Sequence, residues 1–406
     1  VSLAQVVIKK GREGSLRGRH PWVFSGALSR VPEGLKDGAA VEVLAHDGDC
    51  LGVGHYALGK SIAVKLFAFE RVEPDFEYWR SKVERAIAYR ARLNLGPAGV
   101  TDSYRLIHGE GDLLPGLIVD RYGSNFVVQF HSLGMHLIQE QIVAALSASF
   151  GNSVQSIYNK SKDTLLDTKQ FDTKQFETGQ LSTEGYLYGK AETGSGTLIS
   201  ENGIRFFVDW EKGQKTGFFL DQRDNRLLLR SIVQGKHVLN TFCYSGGFTL
   251  AALEGGAASV DSVDSSAAAI SLLERNILEY GKNDRHVGFC EDSFRYLERT
   301  EKDYDLIILD PPAFAKHRQD LKNALRGYQR LNTLALKKLG RGGRLMTYSC
   351  SQLVSHDDFR FTLALAGAQA GRNIRIITEL NQAACHPVNL AHPEGRYLKG
   401  LLLEVD

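Results

Sequence analysis

The pattern that most restricts the fold of this chain begins near residue 191. From there, short apolar runs alternate with amphipathic ones. Val238–Asn240, Val260–Asp264, Leu306–Asp310 and Arg344–Ser349 read as strands, and Asp221–Val233, Ser265–Tyr280 and Ala324–Leu339 as helices. A helix between successive strands is what a parallel sheet requires, so this half is predicted to be a doubly wound, mostly parallel α/β domain. Sheets of that kind bind ligands at the carboxyl ends of their strands, and the loops that follow the strands are therefore where chemistry is sought.

The remainder reads differently. A chain of 406 residues suggests two or three domains, and 43% hydrophobic with 24% charged residues is an ordinary globular composition. Residues 1–72 contain the strand candidates Ala4–Ile8, Ala40–Leu44, Leu51–Tyr56 and Ile62–Phe69, separated by turn signals at Pro32-Glu33-Gly34 and His46-Asp47-Gly48-Asp49, a small β-rich module. Glu73–Leu95 carries Trp79, Val83, Ala86, Ile87 and Ala91 at helical spacing. Strand candidates Gly116–Asp120 and Asn125–His131 follow, joined by a turn at Arg121–Ser124. Then come a helix over Gly134–Phe150, with Leu137, Ile138, Ile142, Val143 and Leu146 on one stripe, and a strand over Gln155–Lys160. This predicts a β-β-α-β middle unit and domain limits at 1–72, 73–190 and 191–406. Asp-Thr-Lys-Gln-Phe occurs twice in tandem over 167–176, too short for a repeat fold, and reads as a loop insertion.

Several classes are disfavoured. No apolar stretch approaches the roughly 20 residues that span a bilayer. The first ten residues place their lysines after a very short apolar run, the wrong order for a secretory signal. A cytoplasmic protein without membrane association is expected. The five cysteines, at 50, 243, 290, 350 and 385, make no CxxC pair, so reduced thiols are expected and no metal site is. Cys50 and Cys290 are expected as small buried hydrophobes. The net charge of +2 conceals two basic clusters. Lys9, Lys10, Arg12, Arg17, Arg19 and Arg30 face one acid, Glu13, and Lys316, Arg318, Lys322, Arg326 and Arg330 face Asp320. Both suit a phosphate-backbone partner.

The loops after the predicted strands carry polar groups in a set order. Asn240-Thr241-Phe242-Cys243-Tyr244-Ser245-Gly246-Gly247 is a glycine turn between strand and helix, without the GxGxxG or Walker pattern of dinucleotide or triphosphate sites. The second strand ends at Asp264, placed to accept both hydroxyls of a ribose, with Ser265 beside it. Asp292 and Ser293 follow the third strand, where an acid can meet an adenine amine. Upstream, Phe219, Asp221, Gln222 and Arg223 lie in a polar block, Lys215–Arg226, that reads as a ligand lid, and Asp221 also reads as a cap for the helix behind it. With Tyr244, Ser245, Gly246 and Asp310, this ordered set resembles the S-adenosylmethionine methyltransferase fold and makes S-adenosyl-L-methionine the expected cofactor.

Asp310-Pro311-Pro312 and Tyr348-Ser349-Cys350-Ser351 end the next two strands. A thiolate adding at C6 of cytosine makes C5 nucleophilic, an acid at N3 favours that addition, and a base must later remove the C5 proton. Cys350 fits the nucleophile. Asp310 fits the group at N3, and must be protonated to donate. Cys385, beside His386, is a second candidate thiol, and Cys243 is expected to pack behind the cofactor.

At these residues the chain resembles the RlmI-like bacterial 23S ribosomal RNA 5-methylcytosine methyltransferases. The likeness spans nearly the whole chain and is carried by His20-Pro21-Trp22-Val23-Phe24, the Lys215–Arg226 block, Tyr244–Phe248, Asp310–Phe314, Tyr348–Ser351, His386-Pro387 and Pro393–Gly395. It implies a PUA domain, an RNA-binding β-barrel, then a small central α/β domain and a Rossmann-like class I methyltransferase domain. It also implies Cys350 as catalytic cysteine with Asp310 beside it. Pro311, Pro312, Phe314 and Lys316, with Arg19 and Lys10 of the first module, become candidate substrate contacts, and 23S ribosomal RNA or a large-subunit precursor the expected partner. A homodimer is compatible with it. Other RNA 5-methylcytosine enzymes use a second cysteine directly after Asp-Pro-Pro, where this chain has Ala313. The releasing role then falls to Asp310, His386 or water. Three alternatives stay open: a ribosomal RNA guanine N-methyltransferase with Phe314 stacked on the base and no thiol step, a small-molecule methyltransferase, and a non-catalytic RNA-binding assembly factor.

Overall fold

The computed structural model of the protein describes residues 3–96, 99–166, 182–191, 196–281, 283–315 and 317–406. The tandem repeat at 167–176 and Lys316 lie outside them. The chain divides into two compact units. The first is Val1–Thr197 with Asp209–Gly217 and Ala384–Gly395, and the second is Leu198–Val208, Phe218–Ala383 and Arg396–Asp406.

The first unit holds two sheets. Strands β1 (Ala4–Ile8), β2 (Trp22–Phe24), β3 (Leu28–Arg30), β4 (Ala40–Leu44), β5 (Cys50–Tyr56) and β6 (Ile62–Ala68) form one in the order β2-β6-β5-β4-β1-β3. Val6, Ile8, Val41, Val43, Val64 and Leu66 bury its inner face. Helix α1 (Phe76–Arg92) follows, capped by Asp75, whose carboxylate accepts from the Tyr78 amide at 2.8 Å. The second sheet is larger than the predicted unit. β7 (Ser103–His108), β8 (Leu117–Tyr122), β9 (Asn125–Phe130), β10 (Ser156–Lys160) and β11 (Glu184–Gly189) run in the order β11-β10-β9-β8-β7. The predicted single helix over Gly134–Phe150 is two, Leu133–Leu137 and α2 (Gln139–Phe150), broken at Ile138. The pieces bury different faces, and Leu137, expected on the apolar stripe, is exposed.

A two-stranded ribbon, β12 (Gly196–Glu201) and β13 (Ile204–Asp209), whose residues 198–208 belong to the second unit, precedes α3 (Arg223–Ile232). The principal sheet contains β14 (His237–Thr241), β15 (Ser259–Asp264), β16 (His286–Cys290), β17 (Tyr304–Leu309), β18 (Leu339–Ser349), β19 (Ile374–Leu380) and β20 (Lys399–Val405). Their order is β16-β15-β14-β17-β18-β20-β19, with β20 antiparallel to both neighbours and the other pairings parallel. β14 and β17 are covered on both faces, which is why β17 reads as the apolar run Leu306–Leu309, while β14 buries Asn240 and Thr241 beside Val238 and Leu239. Helices α4 (Gly247–Glu254), α5 (Ala267–Tyr280), α6 (Ser293–Arg299), α7 (Leu321–Lys337) and α8 (His356–Ala370) connect the strands. Ile307, Leu309 and Leu345 of the sheet meet Tyr328, Leu331 and Leu336 of α7 and Phe359 and Leu363 of α8 in one core. The chain goes outward from β14 through β15 to β16 and returns on the other side with β17, so the strand order reverses between β14 and β17. The crevice at their carboxyl ends is where such a sheet takes a ligand. No helix among the described residues is long and apolar enough to cross a membrane.

Candidate active site

The glycine turn after β14 is built backward from its steric demands. Phe242, Tyr244 and Gly246 all have positive φ (56°, 44° and 86°). At Gly246 a Cβ would collide with Leu273 of α5, so only glycine fits there. Second contacts hold the turn in this strained form. The Asp264 carboxylate, at the end of β15, accepts from the backbone amides of Tyr244 (3.0 Å) and Ser266 (2.9 Å). Asn276 of α5 is buried and donates to the Ser245 carbonyl at 2.9 Å. Beneath the turn, a buried ion pair joins Arg226 and Glu201 through two bonds of 2.6 Å, and the Arg226 guanidinium lies 4.6 Å from the centre of the Phe218 ring. The Phe219 ring meets Tyr244 edge-on at 5.3 Å. The structure thus brings Phe219, Tyr244, Ser245, Gly246 and Asp264 together, as the sequence suggested.

Asp310 directly follows β17. Gln222 donates its Nε2 to Asp310 Oδ2 at 3.1 Å, and the orientation of that amide is fixed by Asn225, whose Nδ2 donates to Gln222 Oε1 (2.6 Å) and to the Asn381 carbonyl (3.1 Å). Asp221 does not cap α3, whose first turn has no side-chain cap. Its Oδ2 accepts from the Tyr397 hydroxyl at 2.7 Å, and its backbone carbonyl accepts from the Ala383 amide. The neighbouring Arg223 pairs with Asp224 at 3.0 Å.

Cys350 directly follows β18. Leu309 pairs with Thr347, so the ends of β17 and β18 lie side by side. The Cys350 Sγ sits 3.9 Å from the Pro311 carbonyl, and the thiol is partly exposed. Its flanking serines hold it. Ser351 Oγ contacts the Tyr328 hydroxyl (3.1 Å) and accepts from the Ala315 amide (3.4 Å), tying the strand end to α7 and to the Asp-Pro-Pro loop.

Other predicted residues are placed elsewhere or occupied. The Asp292 carboxylate caps α6, accepting from the Arg295 amide at 3.1 Å; Ser293 is the buried first residue of that helix, and Ser265 is exposed beside Asp264. Pro311 is buried and Pro312 exposed. The Phe314 ring packs on Tyr328 at 4.6 Å and on the core of the second unit. Cys290 is exposed at the end of the edge strand β16 and Cys50 is half-buried, not the buried residues expected. Cys243 is buried, and burial together with Asp264 keeps its thiol well above the usual range, consistent with packing behind the turn. Cys385 and His386 belong to the first unit, where both are buried and the sulfur lies 3.3 Å from His386 Nδ1. Lys10 and Arg19 are also in the first unit, exposed, with the Arg19 guanidinium 5.2 Å over Phe69.

One residue near the thiol was not anticipated. Lys399 opens β20 opposite Ser349, is 3% exposed, and burial lowers its pKa to about 8 against a countervailing attraction from Cys350. In the sequence Lys399 stands inside the apolar run Leu398–Leu403, a place where a charged residue is unusual.

The unit also retains buried oxygens with no hydrogen-bond partner: Asp221 Oδ1, Asn240 Oδ1, Ser245 Oγ, Thr347 Oγ1 and the Tyr348 hydroxyl. Such atoms are costly unless water or a ligand satisfies them. They belong to the segment before α3, the glycine turn and the ends of β14 and β18, and their chemistry suits the amine and hydroxyl groups of an adenosyl amino acid.

The sequence profile of the S-adenosylmethionine-dependent methyltransferases matches residues 182–368, and that of the PUA-like domain residues 6–69. The "Ribosomal RNA large subunit methyltransferase I" of Shewanella amazonensis is 40% identical over 406 residues, covering 99% of either chain. The protein of the same name from Klebsiella pneumoniae is 37% identical, covering 99% of this chain and 98% of its own. Among solved structures, a SAM-dependent methyltransferase-class protein from Streptococcus mutans superposes with a TM-score of 0.82 at 23% identity, over 99% of this chain and all of its own. A second methyltransferase-class structure, complexed with SAH, gives 0.83 at the same identity and coverage. These two establish the shared fold.

Proposed function

The chain belongs to the ribosomal RNA large subunit methyltransferase I family, and from that premise we propose that it methylates C5 of a cytosine in 23S ribosomal RNA through a covalent bond between Cys350 and C6. Its cofactor is S-adenosyl-L-methionine. The observation that carries the covalent reading is a partly exposed thiol at the carboxyl end of β18, 3.9 Å from the Pro311 carbonyl and so beside Asp310.

The turn at Tyr244–Gly246 with Asp264, Asp221 and the ring of Phe219 would hold the cofactor, which supplies an electrophilic methyl group when bound. The chain's own residues do the rest. The Cys350 thiolate adds to C6, and Asp310 gives a proton to N3, so the displaced electron pair accumulates at C5 as an enamine. Once C5 carries the methyl group, its proton leaves, the C6–S bond breaks and the thiolate is restored. Position 313 is alanine, so water takes the C5 proton, and as the C6–S bond breaks N3 returns its proton to Asp310, which closes the cycle. Gln222 keeps the carboxyl oriented throughout by holding Oδ2. Lys10, Arg19 and the other exposed cations of the first module contact the RNA backbone, an electrostatic task that needs no base reading. The substrate places the enzyme in the cytoplasm.

RNA carrying 5-fluorocytosine tests this reading, because fluorine at C5 cannot leave as a proton does and the adduct persists. Wild-type protein with cofactor is expected to form a denaturation-resistant RNA adduct, and Cys350→Ala none. Full methyl transfer by Cys350→Ala would overturn the covalent step and point to a guanine nitrogen instead. The engagement of Phe314 with Tyr328 argues against that alternative.

A further inference from the structure

The geometry points to Lys399 as the positioning residue that holds Cys350 in its thiolate form, an inference that rests on Cys350 being the reactive thiol. Lys399 brackets the cysteine from two sides. In the β18–β20 ladder it stands directly opposite Ser349, the residue before Cys350. Its Nζ donates to the carbonyl of Ser351, the residue after it, at 2.9 Å, and to the Tyr397 carbonyl at 2.8 Å. An ammonium has three donors. Two are spent on neutral carbonyls, and the third has no acceptor among the described residues.

A buried lysine normally sits beside a carboxylate, because an uncompensated charge in the interior is expensive. No carboxylate lies within ion-pair distance of Lys399 among the described residues. The anion that this arrangement awaits is the sulfur held between Ser349 and Ser351. The ionisable groups around the pair are Asp310 after β17, Tyr348 on β18, Tyr328 on α7, His356 at the start of α8, Glu379 on β19 and Arg396 just before β20. Arg396 is tied to Glu379 at 3.7 Å, and its side chain is exposed, so Lys399 is the buried cation of the group. At neutral pH it remains mainly an ammonium even though burial makes it easier to deprotonate.

The consequence for the reaction is symmetrical. The same cation favours the thiolate that attacks C6 and favours it again as leaving group when the C6–S bond breaks. Lys399 transfers no proton in this scheme and touches no reacting carbon; it acts through the sulfur.

Alkylation of Cys350 by iodoacetamide, followed by peptide mass spectrometry across a pH series, reads the thiolate directly and needs neither RNA nor cofactor. Failure here is therefore distinct from failure of the cytosine assignment. Lys399→Met keeps the length of the side chain and removes its charge. It is expected to move the alkylation profile to higher pH and to slow alkylation near neutrality by roughly tenfold, while Lys399→Arg restores most of the rate. A folded Lys399→Met protein with the wild-type profile would overturn the proposal. Should that variant fail to fold, the coupling is read from the other side. The Lys399 ammonium, followed by 13Cε labelling, should titrate lower in Cys350→Ala than in wild type, and an unchanged titration would equally overturn it.

Discussion

Cys350 and Cys385 are the two thiols that a sequence reader would nominate as nucleophiles, and the structure gives them opposite surroundings. Cys385 has the more familiar partner, with a histidine nitrogen 3.3 Å from its sulfur. Yet it is fully buried, and the loop that carries it is clamped by Arg90, which donates to the Cys385 carbonyl at 2.7 Å and to Asp112 at 2.8 Å. Cys350 is partly exposed, follows β18, the neighbour of β17, and precedes Ser351, whose carbonyl accepts from the buried Lys399 ammonium. Access and a fixed positive charge matter more for a thiol's reactivity than an adjacent imidazole sealed into a core.

The contrast breaks if the two cysteines respond alike. Cys350→Ala should lower methyl transfer to RNA by about three orders of magnitude or more with little change in stability. Cys385→Ala should keep transfer within a few-fold and cost about 1–2 kcal/mol of stability from the cavity left behind, measured by radiolabelled methyl incorporation and urea unfolding. Next in size is the clamp. Arg90→Met leaves Asp112 buried without its partner and is expected to destabilise the first unit by about 3–5 kcal/mol, while the iodoacetamide profile of Cys350 stays unchanged; a shifted profile would mean that the two regions are energetically coupled. Gly246→Ala forces a Cβ against Leu273 at a φ of 86° and should weaken cofactor binding roughly tenfold in calorimetry without altering alkylation of Cys350.

The smallest effect concerns pH. Lys399 has its pKa lowered from 10.5 to about 8 by burial, so between those values the unfolded chain binds more protons than the folded one. Stability therefore rises with pH through that window, and the penalty for burying the charge is fully present below about 8. Lys399→Met should flatten this component of a stability profile taken from neutral pH to about 10. A Cys385→Ala control should retain it.

Much of the second unit was legible from residue pattern. Apolar residues at strand spacing between helical segments locate β14, β15 and β17 to within about two residues and β16 at His286–Cys290. The residues that follow them, Tyr244, Asp264, Asp310 and Cys350, could then be assigned to one edge. β19 and β20 escaped notice. β19 is an edge strand with an exposed face, and β20 follows a long irregular segment, so neither announces itself by spacing. Asp292 has a second task that spacing alone does not reveal, since its carboxylate caps the helix that follows.

What the sequence determined by itself was local or periodic: which runs could form parallel strands, where their ends fall, which turn demands glycine, and which residue types stand ready at those ends. Only the tertiary structure decided which of these groups face one another. Gln222, Asn225 and Asn381 form one relay to Asp310, and Lys399 reaches the carbonyl beyond Cys350, although 48 positions of chain separate Lys399 from Ser351. Those pairings depend on the antiparallel return of β20 against β18, and a register between strands distant in sequence is set by packing, which no local spacing encodes.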